Sequence, residues 1–182
     1  LNKVESEYPE MNRLFQQAGE KSPLFALIMS AGAKLHIGRL VEARTLFERM
    51  LAVRDDEQVR NVQMSHGVNY LAQGYAWNAH GLWCLGYPQA AYQSATLAME
   101  VARQFAQPFN QALTVTYLAM LQEWLADKAT FRHYAEEAVG LSREYGAPYY
   151  AAWASILAAF ARAWQQPDHS HLALLQDAIE AL

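Results

Sequence analysis

Alanines recur along the middle of the chain at the spacing of one helix face. Ala91, Ala95, Ala98 and Ala102 stand three or four residues apart, which stacks them on one side of a helix, whereas a strand would alternate them between faces. Side chains this small let a neighbouring helix approach closely, so the stripe reads as a packing seam. The seam returns forty residues on: Ala95 and Ala98 fall on Ala135 and Ala138, Trp124 falls on Trp164, and the run from Arg103 to Pro108-Phe109 lines up with that from Arg143 to Pro148-Tyr149. Upstream, Leu85-Gly86-Tyr87 with Ala91 matches Ile37-Gly38-Arg39 with Ala43 at an offset of 48, the additional residues fitting a polar connection around Asp55 to Gln63.

A period of this length signals stacked helical hairpins. Gly38 and Gly86 supply tight turns that a residue with a Cβ reaches less easily, and Pro23, Pro108 and Pro148 stand at or just before helix starts, where a missing amide donor costs least. The pattern predicts helix pairs Leu24 to His36 with Leu40 to Arg54, Val68 to Leu85 with Gln89 to Phe105, and Phe109 to Leu125 with Ala129 to Tyr145. A last pair runs from Tyr149 to Gln165 and onward from Ser170, with a turn near Asp127 and a further helix around Pro9 to Ala18. Residues 1–22 then close a preceding repeat, and 23–60, 67–106, 107–146 and 147–182 are repeats of one domain.

The glycine turns and alanine positions resemble the tetratricopeptide pattern, whose repeat is roughly 34 residues. The expected fold is therefore all-α, a TPR-like right-handed α-α superhelix of about four hairpins with a lengthened repeat. Three runs narrow the resemblance: Tyr8 to Glu20, Tyr75 to Pro88 with its Leu-Gly-Tyr-Pro turn, and Ala98 to Arg103 continuing to Pro108-Phe109. They resemble the C-terminal repeat region of large bacterial signalling ATPases, in which a P-loop ATPase precedes such repeats, often with a class III adenylate cyclase or a DNA-binding domain. The resemblance implies a regulatory array attached to an effector. This chain carries no G-x-x-x-x-G-K-[ST] loop of its own.

Composition agrees with helices: the 182 residues include only 9 Gly and 6 Pro. A net charge of -4, with no run of Lys or Arg, lacks the positive field that phosphate neutralisation needs, so nucleic acid is not expected as a direct partner. The strongly apolar stretch Ala147 to Ala161 falls short of the roughly 20 residues that span a bilayer, so no membrane contact is expected. The single cysteine, Cys84, forms no internal disulfide and reads as a small buried apolar residue in a cytoplasmic protein. With neither a leader nor a starting Met, the chain is expected to be an internal piece of a larger protein.

Candidate chemistry is thin. His169 and His171 are two residues apart and do not share a helix face, and His66 and His80 are too distant in sequence for a zinc helix. Glu136 and Glu137 diverge by about 100 degrees on a helix. No Ser sits in a G-x-S-x-G elbow. The expectation is a non-enzyme with no catalytic residue, metal or cofactor.

Charge is what departs from an ordinary solvated helix. From Arg60 to Glu100 there is no intervening Asp, Glu, Lys or Arg, and Gln104 to Gln122 lacks them too. Helices without charges are enclosed by neighbours or form a contact surface. Under the forty-residue offset, rows of first-helix residues offer groove candidates for a protein or peptide: Tyr70, Asn110 and Tyr150; Gln73 and Trp153; Trp77 and Tyr117; with Thr114 and His80 beside them. Which row faces the concave side stays open at this point. A groove that takes a small molecule, making the array a ligand sensor, is the rival reading. Leu172, Leu175, Ile179 and Leu182 on the last helix are candidates for self-association as a homodimer, since a solenoid end lacks the next repeat to cover it.

Overall fold

The computed structural model describes residues 7–17, 19, 23–52, 67–104 and 108–180. Among the described residues every regular element is an α-helix and no strand occurs. In chain order these are α1 (Glu7–Gln17), α2 (Leu24–His36), α3 (Leu40–Leu51), α4 (Tyr70–Cys84), α5 (Pro88–Gln104), α6 (Pro108–Trp124), α7 (Lys128–Glu144), α8 (Pro148–Gln165) and α9 (His169–Glu180). The expected connection from Asp55 to Gln63, and Leu182, lie outside the described residues. The chain divides into two compact units, Leu1–Val101 and Ala102–Leu182.

Four helices end in the same way. Gly38, Gly86 and Gly146 have φ of +82°, +84° and +65°, and Ala126 takes φ +59°. Behind each of them two amides turn back onto the helix: Gly38 N–H to Leu35 and Arg39 N–H to Lys34, Gly86 to Trp83 and Tyr87 to Leu82, Ala126 to Glu123 and Asp127 to Gln122, Gly146 to Arg143 and Ala147 to Ser142. This is the Schellman arrangement, which satisfies carbonyls that a helix end leaves orphaned and favours glycine at the left-handed position. One residue later the next helix begins. Asp127 serves both sides of its turn, because its carboxylate also accepts from the Thr130 amide at 3.1 Å and so caps α7. The hydrogen bond from Thr130 holds the Asp127 carboxyl below its ordinary range.

In the first unit α2 packs on α1, α3 and α4, and α3 packs on α4. Two glycines set how closely. Gly32 on α2 faces the Trp77 ring, whose Cε3 would lie 2.9 Å from a Cβ built there, and Gly74 on α4 faces the thioether end of the buried Met50. Asn69 caps α4 by accepting from the Ala72 amide at 3.0 Å. The Ser94 hydroxyl donates to the Tyr75 carbonyl at 2.8 Å, which lays the face of α5 that carries Ala91, Ala95 and Ala98 against α4, and all three alanines are buried. Lys34 is buried as well, and its ammonium donates to Glu42 at 2.7 Å, so no bare charge remains inside. That bond from Lys34 leads the effects that hold the Glu42 carboxyl below its ordinary range.

Cys84 is exposed, contrary to the sequence expectation. Burial along α4 stops at Leu82, and Cys84 is the helix's last residue, already on the way to an exposed turn at Gly86 and Tyr87.

In the second unit α7 packs on α6 and α8, α6 also meets α8, and α9 lies on α8. The core gathers Ala119, Phe131, Ala135, Leu157, Ala158 and Ala161. Phe131 touches Phe160 and Trp164 at centroid distances of 5.8 and 6.1 Å. A polar clamp crosses from α7 to α8. Glu136 accepts from Arg132 at 3.1 Å and from Arg162 at 3.1 and 3.2 Å, and Arg132 donates to Gln165 at 3.1 Å. Burial pushes the Glu136 carboxyl up, but the two guanidinium hydrogen bonds outweigh it and hold the carboxyl below its ordinary range.

Two stability tests follow from the backbone. An alanine in the left-handed region is strained by its Cβ, so Ala126→Gly is expected to stabilise by about 1 kcal/mol, raising the thermal midpoint by roughly 2–4 °C; a lowered midpoint contradicts the turn geometry. For Gly32→Ala, the helix-propensity gain of about 1 kcal/mol is outweighed by overpacking of about 1–3 kcal/mol against an aromatic ring that has little room to yield. Gly140→Ala meets nothing within 4 Å and keeps the gain. In urea unfolding, Gly32→Ala should move the midpoint down and Gly140→Ala up; both moving up contradicts the packing of Trp77 on α2.

Candidate functional site

The rings of α6 and the start of α8 form one connected set. Phe109 meets Tyr150 edge-on with centroids 5.5 Å apart, and Tyr117 meets Trp153 edge-on at 5.2 Å. Tyr149 contacts Tyr150 at 5.3 Å and Trp153 at 6.1 Å, and Tyr150 stacks on Trp153 at 6.2 Å. Edge-on and offset pairs are the favoured ring arrangements, because each positive ring edge meets a negative face. The set is open outward: Tyr149 is 64% exposed and Phe109 37% exposed. α6 carries a single charged residue, Glu123, and α8 a single one, Arg162, both near the far ends of their helices.

Helix periodicity explains the assembly. Tyr150 and Trp153 are three apart on α8, and Tyr117 lies on α6, which packs on α8. Pro148 as the first residue of α8 fixes where the ring run begins. Burial pushes the Tyr150 phenol well above its ordinary range, and the neighbouring Tyr117 and Tyr149 add to the effect. Tyr150 is a flat amphipathic ring with a hydroxyl at its tip.

The other groove candidates lie elsewhere. Tyr70, His80, Asn110 and Thr114 are buried and belong to the interior instead of lining an outward surface. Tyr70 packs against Phe25 at 5.5 Å. The Thr114 hydroxyl is fully enclosed and finds no hydrogen-bond partner among the described residues. Trp77 is half-buried, set over Gly32 and edge-on to His36 at 5.6 Å, so its ring holds α4 to α2. Gln73 is half-buried. Of the groove list, Tyr117, Tyr150 and Trp153 are brought together in the ring set. Phe109 and Tyr149, absent from that list, complete it; each follows a helix-starting proline, and the forty-residue offset places one on the other.

On α9, Leu172 and Ile179 are exposed and Leu175 is half-buried. His169 is the first residue of that helix, and His171 is held by Asp168, whose carboxylate accepts from the His171 amide at 2.9 Å. Among the described residues no group of three or more His, Cys, Asp or Glu side chains is placed to hold a metal ion, and no helix is long and apolar enough to cross a membrane. No family model, no curated protein and no solved structure matches the chain.

Proposed function

We propose that this chain is a TPR-like α-α superhelix serving as a non-catalytic protein-interaction scaffold of a bacterial cytoplasmic signalling protein. In that role it relays the binding of a partner to an attached ATPase, cyclase or DNA-binding effector. The observation that carries the binding part is the connected ring set Phe109, Tyr117, Tyr149, Tyr150 and Trp153, of which Tyr149 and Phe109 are exposed and the other three half-buried behind them. Aromatic rings give large contact area at low entropic cost and dominate the energetics of protein interfaces. A charge-free bed of them suits an extended or helical peptide that offers apolar anchors.

The superhelical reading is supported by the packing order within each unit. First helices touch first helices, α2 with α4 and α6 with α8, while second helices lie between them in sequence, as in stacked hairpins. The signalling context rests on the resemblance of the Leu-Gly-Tyr-Pro turn and its companion runs. Self-association through exposed Leu172 and Ile179 of α9 is a second contact of the same scaffold. A small-molecule ligand in place of a peptide is the rival, and a metabolite that raises the melting midpoint while selected peptides fail to bind favours it.

The test begins with peptides selected from a random display library against the whole chain. Tyr149→Ala and Phe109→Ala are expected to weaken the selected peptides by about tenfold or more each, the range of interface anchors. Tyr149 is the more exposed of the two, so Tyr149→Ala should move the melting midpoint by no more than roughly 2 °C, whereas Phe109→Ala also loses its packing on Tyr150 and is expected to lower it further. Peptides that bind both variants as tightly as the parent chain contradict the assignment.

A further inference from the structure

Away from the rings, a cleft of about 240 Å³ opens between α7, α8 and α9. It lies on the other side of α8. Tyr150, Trp153 and Leu157 follow one helical row, and Ser155, Ala158, Ala159 and Arg162 follow another at the i, i+3, i+4, i+7 spacing. The buried Ala158 and Ala159 make the floor, and the exposed Arg143 and Leu174 stand at the rim, with Val139 and Ala178 between.

Its charge is one-sided. None of the lining residues is acidic. Arg162 shares the single carboxylate of Glu136 with Arg132, so that three-residue clamp retains one net positive charge. The Arg143 guanidinium makes no ion pair with any described residue. Glu144 follows it directly and therefore points about 100 degrees away around the helix. A guanidinium fork matches the two oxygens of a carboxylate, while the alanines, Val139 and Leu174 offer only apolar surface beyond it. A dry cavity of about 150 Å³ accepts benzene, so the larger cleft accommodates a molecule of about ten non-hydrogen atoms.

We propose that this cleft binds a small amphiphilic monocarboxylate, its head on Arg143 beside Arg162 and its aliphatic chain over Ala158, Ala159 and Leu174. Such a ligand would bridge α9 to the α7–α8 pair. The site is separate from the aromatic surface, and it goes beyond the scaffold reading without depending on it.

Titration calorimetry of the whole chain with octanoate, 1-octanol and inorganic phosphate decides it. One saturable octanoate site is expected, with octanol about tenfold weaker and phosphate unable to displace octanoate. Arg143→Gln, at an exposed residue with no ion-pair role, should weaken octanoate by about tenfold and leave octanol unchanged, the pattern of a lost charge-assisted bond. Ala159→Phe should remove both ligands while circular dichroism shows the helices retained. Equal affinity for octanoate and octanol, displacement by phosphate, indifference to Arg143→Gln, or absence of saturation overturns the proposal. None of these outcomes bears on peptide binding, since Arg143→Gln alters no ring of the aromatic set.

Discussion

The hairpins built on α2, α4, α6 and α7 depend on how those four helices are stopped. A helix that ended gradually would leave carbonyls unsatisfied and the return path undefined. Here the residue at the left-handed position, with two amides folded back behind it, ends the helix within one residue and starts the next after one more. Antiparallel return is then dictated by geometry, and α2 with α3, α6 with α7 and α7 with α8 are forced into contact along their lengths. Side-chain size decides the rest. Alanines at Ala91, Ala95, Ala98, Ala135 and Ala138 leave no bulk at the seam, and glycines at Gly32 and Gly74 make room for a tryptophan ring and a thioether from the facing helix.

On α8, Phe160 and Trp164 pack on Phe131 in the core and Trp153 reaches the same cluster from its edge, while Phe109, Tyr149 and Tyr150 pack on one another beyond it. Tyr150 and Trp153 are partly covered, and Tyr149 and Phe109 stand at the rim. The single charges of α6 and α8, Glu123 and Arg162, lie near the far ends of their helices, and Arg162 meets Glu136 on the row of α8 opposite the rings.

Much of this was legible from spacing. The bounds of α2 follow the pattern residue for residue, and the other helices differ from it by a few residues at their ends. Turn positions were legible because glycine announces a positive φ; Ala126 does not, although the forty-residue offset sets it on Gly86. The site was legible in part. Between Tyr75 and Leu85 apolar residues are nearly continuous, so no polar face orients α4, and sequence spacing could not show that Trp77 fills the space left by Gly32. Burial of Asn110 and Thr114 was hidden for a related reason, since polar residues on a charge-free helix look outward-facing until a neighbour covers them. The forty-residue offset pairs Phe109 with Tyr149 but does not mark either as surface, because ring exposure depends on how α6 meets α8. The cleft of α7, α8 and α9 belongs to three helices and leaves no motif in any one of them.

The central claim is that the ring set of α6 and α8 is the surface by which this chain holds a partner. Its most direct test is nuclear magnetic resonance of the chain with a bound peptide, reading the Trp153 indole N–H and the ring protons of Phe109, Tyr149 and Tyr150. The account predicts that these signals shift together as the peptide saturates, with α9 and the Arg162 side of α8 unaffected. Shifts centred on Leu172 and Ile179 of α9, with the Trp153 and Tyr149 signals unmoved, would contradict it.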